Sequence, residues 1–483
     1  MRCIRDSNTV FGLTPFRERR SDLSEACYEF FTPSPDTDEL IISSWRLMSL
    51  HLVGPLAFAP PSAPNSTITS PNPEIIAARR RIAGNWVSLL LFVTILGSFF
   101  VSIEPSPYEA LVLVLAVGLV GVGLPIDIRH LPLILLVHVL ALGGLLAVMP
   151  VFNDGDATIY YAVSVYLAIS AILFACLFSV DVMRRLAALR SAYILAATLA
   201  ALVGILGYFG LIPGAEAMLE NGRVRATFKD PNVFGPFLVL PLLLILMQFL
   251  RGRISIGYVV AWVIILLGLF LSFSRGAWAH FVFSAFLMVA LLFASERSAR
   301  RRAHIVTGLA ACAVAVAVIL MLALTTSVVA DMFVERASLN QYYDVGHEGR
   351  FAGQMEGLKE VVENPNGVGP RQFGKERGVD PHNVYINAFL SYGWIGGMAY
   401  VLLVLATLQK GLRALWRRTP WQPYLIACYA TFVGVVIEGL IVDTDHWRHF
   451  YLLVGLVWGL GIATAKHVEA DANRSDLRSN HPL

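Results

Sequence analysis

Between two long apolar runs the chain reads Gly367-Val368-Gly369-Pro370-Arg371-Gln372-Phe373-Gly374, then Asp380-Pro381-His382-Asn383-Val384-Tyr385, before turning apolar again at Ile386. His382 stands out because an imidazole, with an unperturbed pKa of about 6.5, takes up a proton at neutral pH. Two other short polar stretches carry arginine. Arg223 and Arg225 open Arg223-Val224-Arg225-Ala226-Thr227-Phe228-Lys229-Asp230-Pro231-Asn232, and Arg275 lies in Ser272-Phe273-Ser274-Arg275-Gly276-Ala277-Trp278. A guanidinium presents a rigid planar fork suited to bidentate binding of phosphate. The chemistry these types support together is proton abstraction beside a bound anion.

The elements that must position them are membrane helices. Hydrophobic residues make up 56% of the 483 and charged residues 15%. With a mean hydropathy of +0.65, the chain is too apolar for a soluble globular protein. Apolar runs of roughly 17–25 residues, enough to cross about 30 Å of hydrocarbon, occur near 84–102, 108–124, 131–150, 157–180, 191–213, 232–250, 255–272, 276–294, 304–324, 384–408, 421–442 and 447–464. The expected fold is an all-α polytopic bundle of about twelve transmembrane helices. The five cysteines show neither a disulfide framework nor metal-ligand spacing.

Lysine and arginine in short connections orient such a bundle. Arg79, Arg80 and Arg81 precede the first run and place the N-terminus in the cytoplasm; Arg129, Arg184, Arg185, Arg190, Arg251, Arg253, Arg297, Arg300, Arg301, Arg302, Lys410, Arg413, Arg417 and Arg418 then fall on inside connections. The exceptions lie outside: Arg223, Arg225, Lys229, Arg275, Arg336, Arg350, Lys359, Arg371, Lys375 and Arg377. An ordinary soluble loop accounts for Arg336, Lys375 and Arg377. The link holding Arg275 is so short that its guanidinium must sit at the headgroup plane or point into the bundle, and arginine at that level is costly enough to signal function. A diphosphate held at the outer face is the natural ligand for these cations, with Arg350 and Arg371 as further candidate contacts. An imidazole at their side would serve to activate a sugar hydroxyl.

The long outside stretch, 325–383, contains one amphipathic helix over 349–363, in which Phe351, Met355, Leu358 and Val362 recur at helical spacing. Lying on the membrane as the roof of a cavity and packing against the bundle are equally open to it. The remaining polar residues have plainer readings. His138 and His280 sit in apolar helices as internally hydrogen-bonded groups, and His446 and His449 flank Trp447 at an interfacial position. Asp154-Gly155-Asp156 and Asp443-Thr444-Asp445 fit a short, common Asp-x-Asp pattern of some metal-using glycosyltransferases; solvated loops or pairing with arginine explain them as well. Glu438 lies within the eleventh run, either buried in its protonated form or orienting a histidine or arginine.

Taken in order, the 223–232 stretch, the 272–277 link, and the loop Pro365-Asn366-Gly367-Val368-Gly369 followed by Pro381-His382-Asn383-Val384-Tyr385 and Gly393-Trp394-Ile395-Gly396-Gly397 resemble the O-antigen ligase and polymerase superfamily, which includes exopolysaccharide repeat-unit polymerases. The resemblance spans roughly residues 84–464 in helix count and loop placement. It implies a metal-independent, cofactor-free integral-membrane glycosyltransferase of the bacterial inner membrane. The donor would be a polyprenyl-diphosphate-linked glycan at the outer leaflet, and the acceptor a glycan or lipid A core. Its partners are therefore membrane lipids and lipid-linked sugars, with no nucleic acid. By that resemblance Arg275 and one of Arg223 or Arg225 hold the diphosphate and His382 acts as base, with inversion at the anomeric carbon. Asn232, Ser274 and Asn383, set in the same motifs, are candidate substrate contacts. The chain departs from the pattern at Ala226, where glycine is common.

A transporter or flippase of lipid-linked sugars is the competing class, since about twelve helices suit transporters too. Against it, the chain shows no matching halves, and its polar residues gather at the outer rim. Residues 1–82, rich in Pro, Ser, Thr and Asn over 60–73, are expected to form a largely disordered cytoplasmic extension. Residues 83–466 form the transmembrane domain, and 467–483 a flexible cytoplasmic tail.

Overall fold

The computed structural model describes residues 73–103, 105–337, 350–378 and 380–479, with only the backbone described for 73–80, Arg350 and 475–479. The expectations for most of the N-terminal extension lie outside these residues. The described chain is an all-α polytopic membrane protein. Its helices are α1 (Pro73–Gly97), α2 (Pro107–Val122), α3 (Leu131–Val148), α4 (Gly155–Phe178), α5 (Val182–Tyr208), α6 (Pro231–Phe237), α7 (Val239–Leu250), α8 (Ile256–Leu271), α9 (Arg275–Ser295) and α10 (Ala299–Ala323). After α11 (Ser327–Ala337), α12 (Arg350–Glu363) and α13 (Gln372–Arg377) come α14 (Val384–Leu415), α15 (Gln422–Glu438) and α16 (Arg448–Ser479).

Among the described residues eight helices or continuous helix pairs are long and apolar enough to cross a membrane, and four shorter apolar helices, α1 from Arg81, α2, α8 and α15, fall on the other four expected runs. α5 begins at Val182, so Arg185 and Arg190 belong to a helix rather than a loop. The Arg185 guanidinium donates to the Leu177 carbonyl at the end of α4, and Arg190 donates to the Tyr424 hydroxyl (2.8 Å). At the same end of the bundle α16 runs on to Ser479. Arg129 pairs with Glu469 (2.7 Å) and Lys466 with Asp127 (3.1 Å), tying that helix to the α2–α3 connection.

Among the described residues, the connection between α10 and α14 holds three helices where one was expected. α11 is missed by a search for long apolar periodicity because it is short and carries Asp331 and Glu335; it docks through Val329, Met332 and Phe333. α12 turns its Gly353, Gly357 and Val361 face inward, and a Cβ at Gly357 would stand 2.9 Å from Ile386. Its apolar stripe, Phe351, Met355, Leu358 and Val362, is exposed. That leaves the stripe available to lipid while small residues make the contact with α14.

One irregularity in α14 fixes this layer. At Gly393 the backbone leaves the helix, with φ 64° and ψ −175°, a conformation essentially reserved for glycine. The break frees Leu390's carbonyl and Trp394's N–H. The carbonyl accepts from Val368 N (2.9 Å) and Gly369 N (3.2 Å), while Trp394 N donates to the Pro365 carbonyl (2.8 Å). A Cβ on Gly393 would lie 2.7 Å from Asn366 O, and one on Gly367 would lie 2.7 Å from Leu390 O. The two glycine-bearing motifs are thus halves of one backbone interlock. Gly396 then brings α14 against Gly143 of α3 with no side chain between them.

Gly393→Ala combines forbidden dihedrals with a backbone clash, so a loss of at least about 1–3 kcal/mol is expected. Thermal unfolding in detergent should show a lowered midpoint, and trypsin should cut faster between Arg371 and Arg377 than in the parent protein.

Candidate functional site

The polar stretches singled out by sequence converge at one end of the bundle, where α9 and α14 begin. The link between α8 and α9 turns at Phe273 (φ 45°), and Ser274 caps α9 by accepting from Ala277 N (3.3 Å). Its hydroxyl donates to Asn232 Oδ1 (2.9 Å). Asn232 opens α6 behind the Asp230 cap, and the same Oδ1 accepts from Arg223 (2.8 Å). Arg223 Nε also donates to the Ser272 carbonyl (3.1 Å). Arg223, Asn232 and Ser274 therefore form one hydrogen-bonded unit at the base of the turn carrying the half-buried Arg275.

Arg223 reaches that position from a two-stranded hairpin that sequence reading did not anticipate. β1 (Leu219–Glu220) pairs antiparallel with β2 (Arg223–Val224), Glu220 opposite Arg223. Asn221 and Gly222 make the turn with φ 49° and 73°, the two-residue Asn-Gly signal of a tight hairpin. Arg225 leaves the hairpin elsewhere: its side chain donates to the Lys229 carbonyl (3.2 Å). Ala226, where the resembled family commonly has glycine, adopts φ 51°, which explains that preference. Glu220 was also missed. Burial, then the charge of Asp230, raise its pKa above the ordinary carboxylate value.

The His382 loop and the Arg275 link both abut the end of α15. Val384 N donates to the Gly439 carbonyl (2.9 Å), Asn383 Nδ2 to Leu440 O (3.1 Å) and the Tyr385 hydroxyl to Val436 O (2.7 Å). Asn383 caps α14 through Tyr385 N and Ile386 N, and so is committed to holding the loop. His382 itself is half-buried with φ 46°, a strained conformation of the kind concentrated at functional positions. The same turn of α15 also carries Glu438. Its Oε2 lies 2.9 Å from His280 Nδ1, and His280 Nε2 lies 3.0 Å from the Thr431 carbonyl. Nε2 therefore carries a hydrogen, and the Nδ1–Oε2 contact holds one further proton. Glu438 Oε1 faces Gly276, where a Cβ would stand 2.9 Å away.

These positions now meet the comparison with known proteins. A family model described as O-antigen ligase matches residues 260–401. Over that segment the chain is similar to the O-antigen ligase family. No curated protein matches the chain. The matched segment runs from α8 through the Arg275 link and the His382 loop into α14; Arg223, Asn232 and Glu438 lie outside it and join it by the contacts above, while Arg225, also outside it, bonds to Lys229.

Other expected site residues are placed apart. Arg371 is exposed at the start of α13, with φ 61°, and α13 is fastened to the α3–α4 connection. Asp154 Oδ2 accepts from Lys375 (2.6 Å) and Gln372 (2.8 Å), and Lys375 also pairs with Asp156 (3.2 Å). The proposed contact of the Arg350 side chain lies outside the described residues. Asp445 is buried, accepting from the hydroxyls of Tyr160 (2.7 Å) and Tyr392 (2.9 Å). His446 stacks on Tyr160 at 3.7 Å and bonds Ser164 (2.7 Å), and His449 is buried. The interfacial reading of those two histidines gives way because Trp447 and its neighbours turn into the bundle.

The Asp154 clamp is pH-sensitive. Hydrogen bonds from Lys375 and Gln372 pull the Asp154 carboxyl down to about 2, and the same contact raises Lys375. The clamp is at full strength above the unfolded carboxylate value of about 3.9, is lost as pH falls through about 2, and is lost again at alkaline pH as Lys375 deprotonates. Lys375→Ala should accelerate proteolysis at Arg371 and Arg377 at pH 7, and the difference from the parent protein should vanish near pH 2 under an acid protease.

Proposed function

We propose that the protein transfers or polymerises a glycan from a polyprenyl-diphosphate-linked donor at the outer face of the bacterial inner membrane. The observation that carries this reading is the shared abutment. The turn bearing Arg275 and the strained turn bearing His382, both within the segment matched by the O-antigen ligase model, rest on the end of α15.

In this mechanism the lipid diphosphate is the leaving group. Arg275 and Arg223 neutralise the charge that grows on it as the bond to the anomeric carbon lengthens, a task for preorganised cations in a site shielded from water. The positive end of α9, starting at Arg275, adds to the same field. His382 removes the proton of the acceptor hydroxyl, which attacks from the opposite face, so configuration inverts. Of the two candidate arginines, Arg223 is favoured because its bonds to Ser272 and Asn232 aim it along the Arg275 link, whereas Arg225 is turned toward Lys229. Asn232 and Ser274 then act as positioning residues, and Glu438 through His280 holds α9 in register with α15.

His382→Ala should reduce glycan transfer by at least about 10²-fold with membrane protein level unchanged; full activity in this variant removes His382 from the mechanism. Arg223→Ala should cost about 10²–10³-fold and Arg225→Ala markedly less, measured with purified protein and a defined polyprenyl-diphosphate oligosaccharide. The same reconstitution separates the two outcomes of the chemistry: a ladder of products means polymerase, and a single transfer to lipid A core means ligase.

A further inference from the structure

At the opposite end of the bundle, where α7 and α9 end and α10 and α15 begin, lies a cavity of about 550 Å³. Arg251, Arg253, Arg301 and Arg418 line it with His304, against a single carboxylate, Glu296. Glu296 is engaged by Arg301 (3.4 Å). Burial and the like charges of Arg253 and Arg301 press the Arg251 pKa below its ordinary value, so a bound anion would relieve a repulsion built into the site. The Thr419 hydroxyl at its wall is buried without a protein partner.

Ile305 belongs to this cavity and also to a second space of about 470 Å³ that extends along α9 and α10. That second space is lined almost entirely by apolar side chains, among them Trp262, Phe286, Phe293 and Val316. α10 is the least embedded of the spanning helices, with 6% of its apolar window buried, so the groove opens toward lipid. A cationic chamber joined to an apolar groove at membrane depth matches one class of molecule, a lipid with an anionic head.

We propose that an anionic phospholipid binds here, its phosphate among Arg251, Arg253 and Arg418 and an acyl chain between α9 and α10. The site lies at the other end of the bundle from His382 and does not depend on the glycan-transfer reading. Each arginine near an anionic headgroup adds electrostatic attraction, so the cluster selects anionic over zwitterionic lipid. The apolar groove adds chain-length dependence through buried methylenes.

The test is native mass spectrometry of the delipidated full-length protein titrated with dioleoyl-phosphatidylglycerol, dioleoyl-phosphatidylcholine, dihexanoyl-phosphatidylglycerol and inorganic phosphate. The dioleoyl anionic lipid should bind at least about tenfold more tightly than the other three. The combined Arg251→Ser, Arg253→Ser and Arg418→Ser variant should lose that preference, while Arg297→Ser with Arg300→Ser, at the same end but outside the cavity, should keep it. Ala313→Trp, which fills the groove, should weaken the dioleoyl lipid alone, and it supplies an independent readout if the triple variant fails to fold. Equal binding of the two dioleoyl lipids, or equal loss in the control pair, overturns the proposal. Competition by inorganic phosphate at the lipid's own affinity does so too, because the site would then recognise a free anion.

Discussion

A helix leaves its last carbonyls without intrahelical donors, and the carbonyls at the end of α15 and just beyond it organise one end of the protein. Val436, Gly439 and Leu440 accept from Tyr385, Val384 and Asn383, fixing the start of α14 and with it the His382 turn. Gln354 of α12 donates to Leu440 as well (3.1 Å), drawing the amphipathic helix onto the same turn. The residue before Gly439, Glu438, meets His280 and the Gly276 backbone of α9. One turn of helix therefore locates two segments that are more than a hundred residues apart in sequence.

The hydrocarbon interior forbids unsatisfied backbone, so irregular conformations concentrate where loops and water can complete them. Of the six described non-glycine residues with positive φ, five, Asn221, Ala226, Phe273, Arg371 and His382, lie in connections at the end of the bundle where α9 and α14 begin or at their junctions with helices, and the sixth, Asp181, precedes α5. Phe273 and His382 are a matched pair, each standing just before the residue that caps the following helix, Ser274 or Asn383. In both cases the reversal turns the chain abruptly into a helix and leaves an arginine or a histidine at the rim.

Behind this rim a second polar network stiffens the bundle. Asp445, Tyr160, Tyr392, Ser164 and His446 join α4, α14 and the segment before α16, and Asn387, one turn into α14, donates to the Tyr160 hydroxyl (3.3 Å). Buried polar groups that are mutually satisfied fix one arrangement of neighbouring helices, and this one backs the helix on which the His382 turn is mounted.

The sequence by itself determined the membrane class, the helical runs and the motifs, because hydropathy over about twenty residues and the turn-forming types are local properties. It also pointed to Arg275 and His382, since an arginine in a short link and a histidine at a helix foot are unusual wherever the chain folds. It left Arg223 and Arg225 equivalent, overlooked the Asn221-Gly222 hairpin and Glu220, and placed His446 and His449 at the interface. Only the tertiary structure decided these. Which arginine meets Asn232, and which face of α15 meets α9, depend on contacts between residues far apart in sequence, and no local pattern encodes the partner.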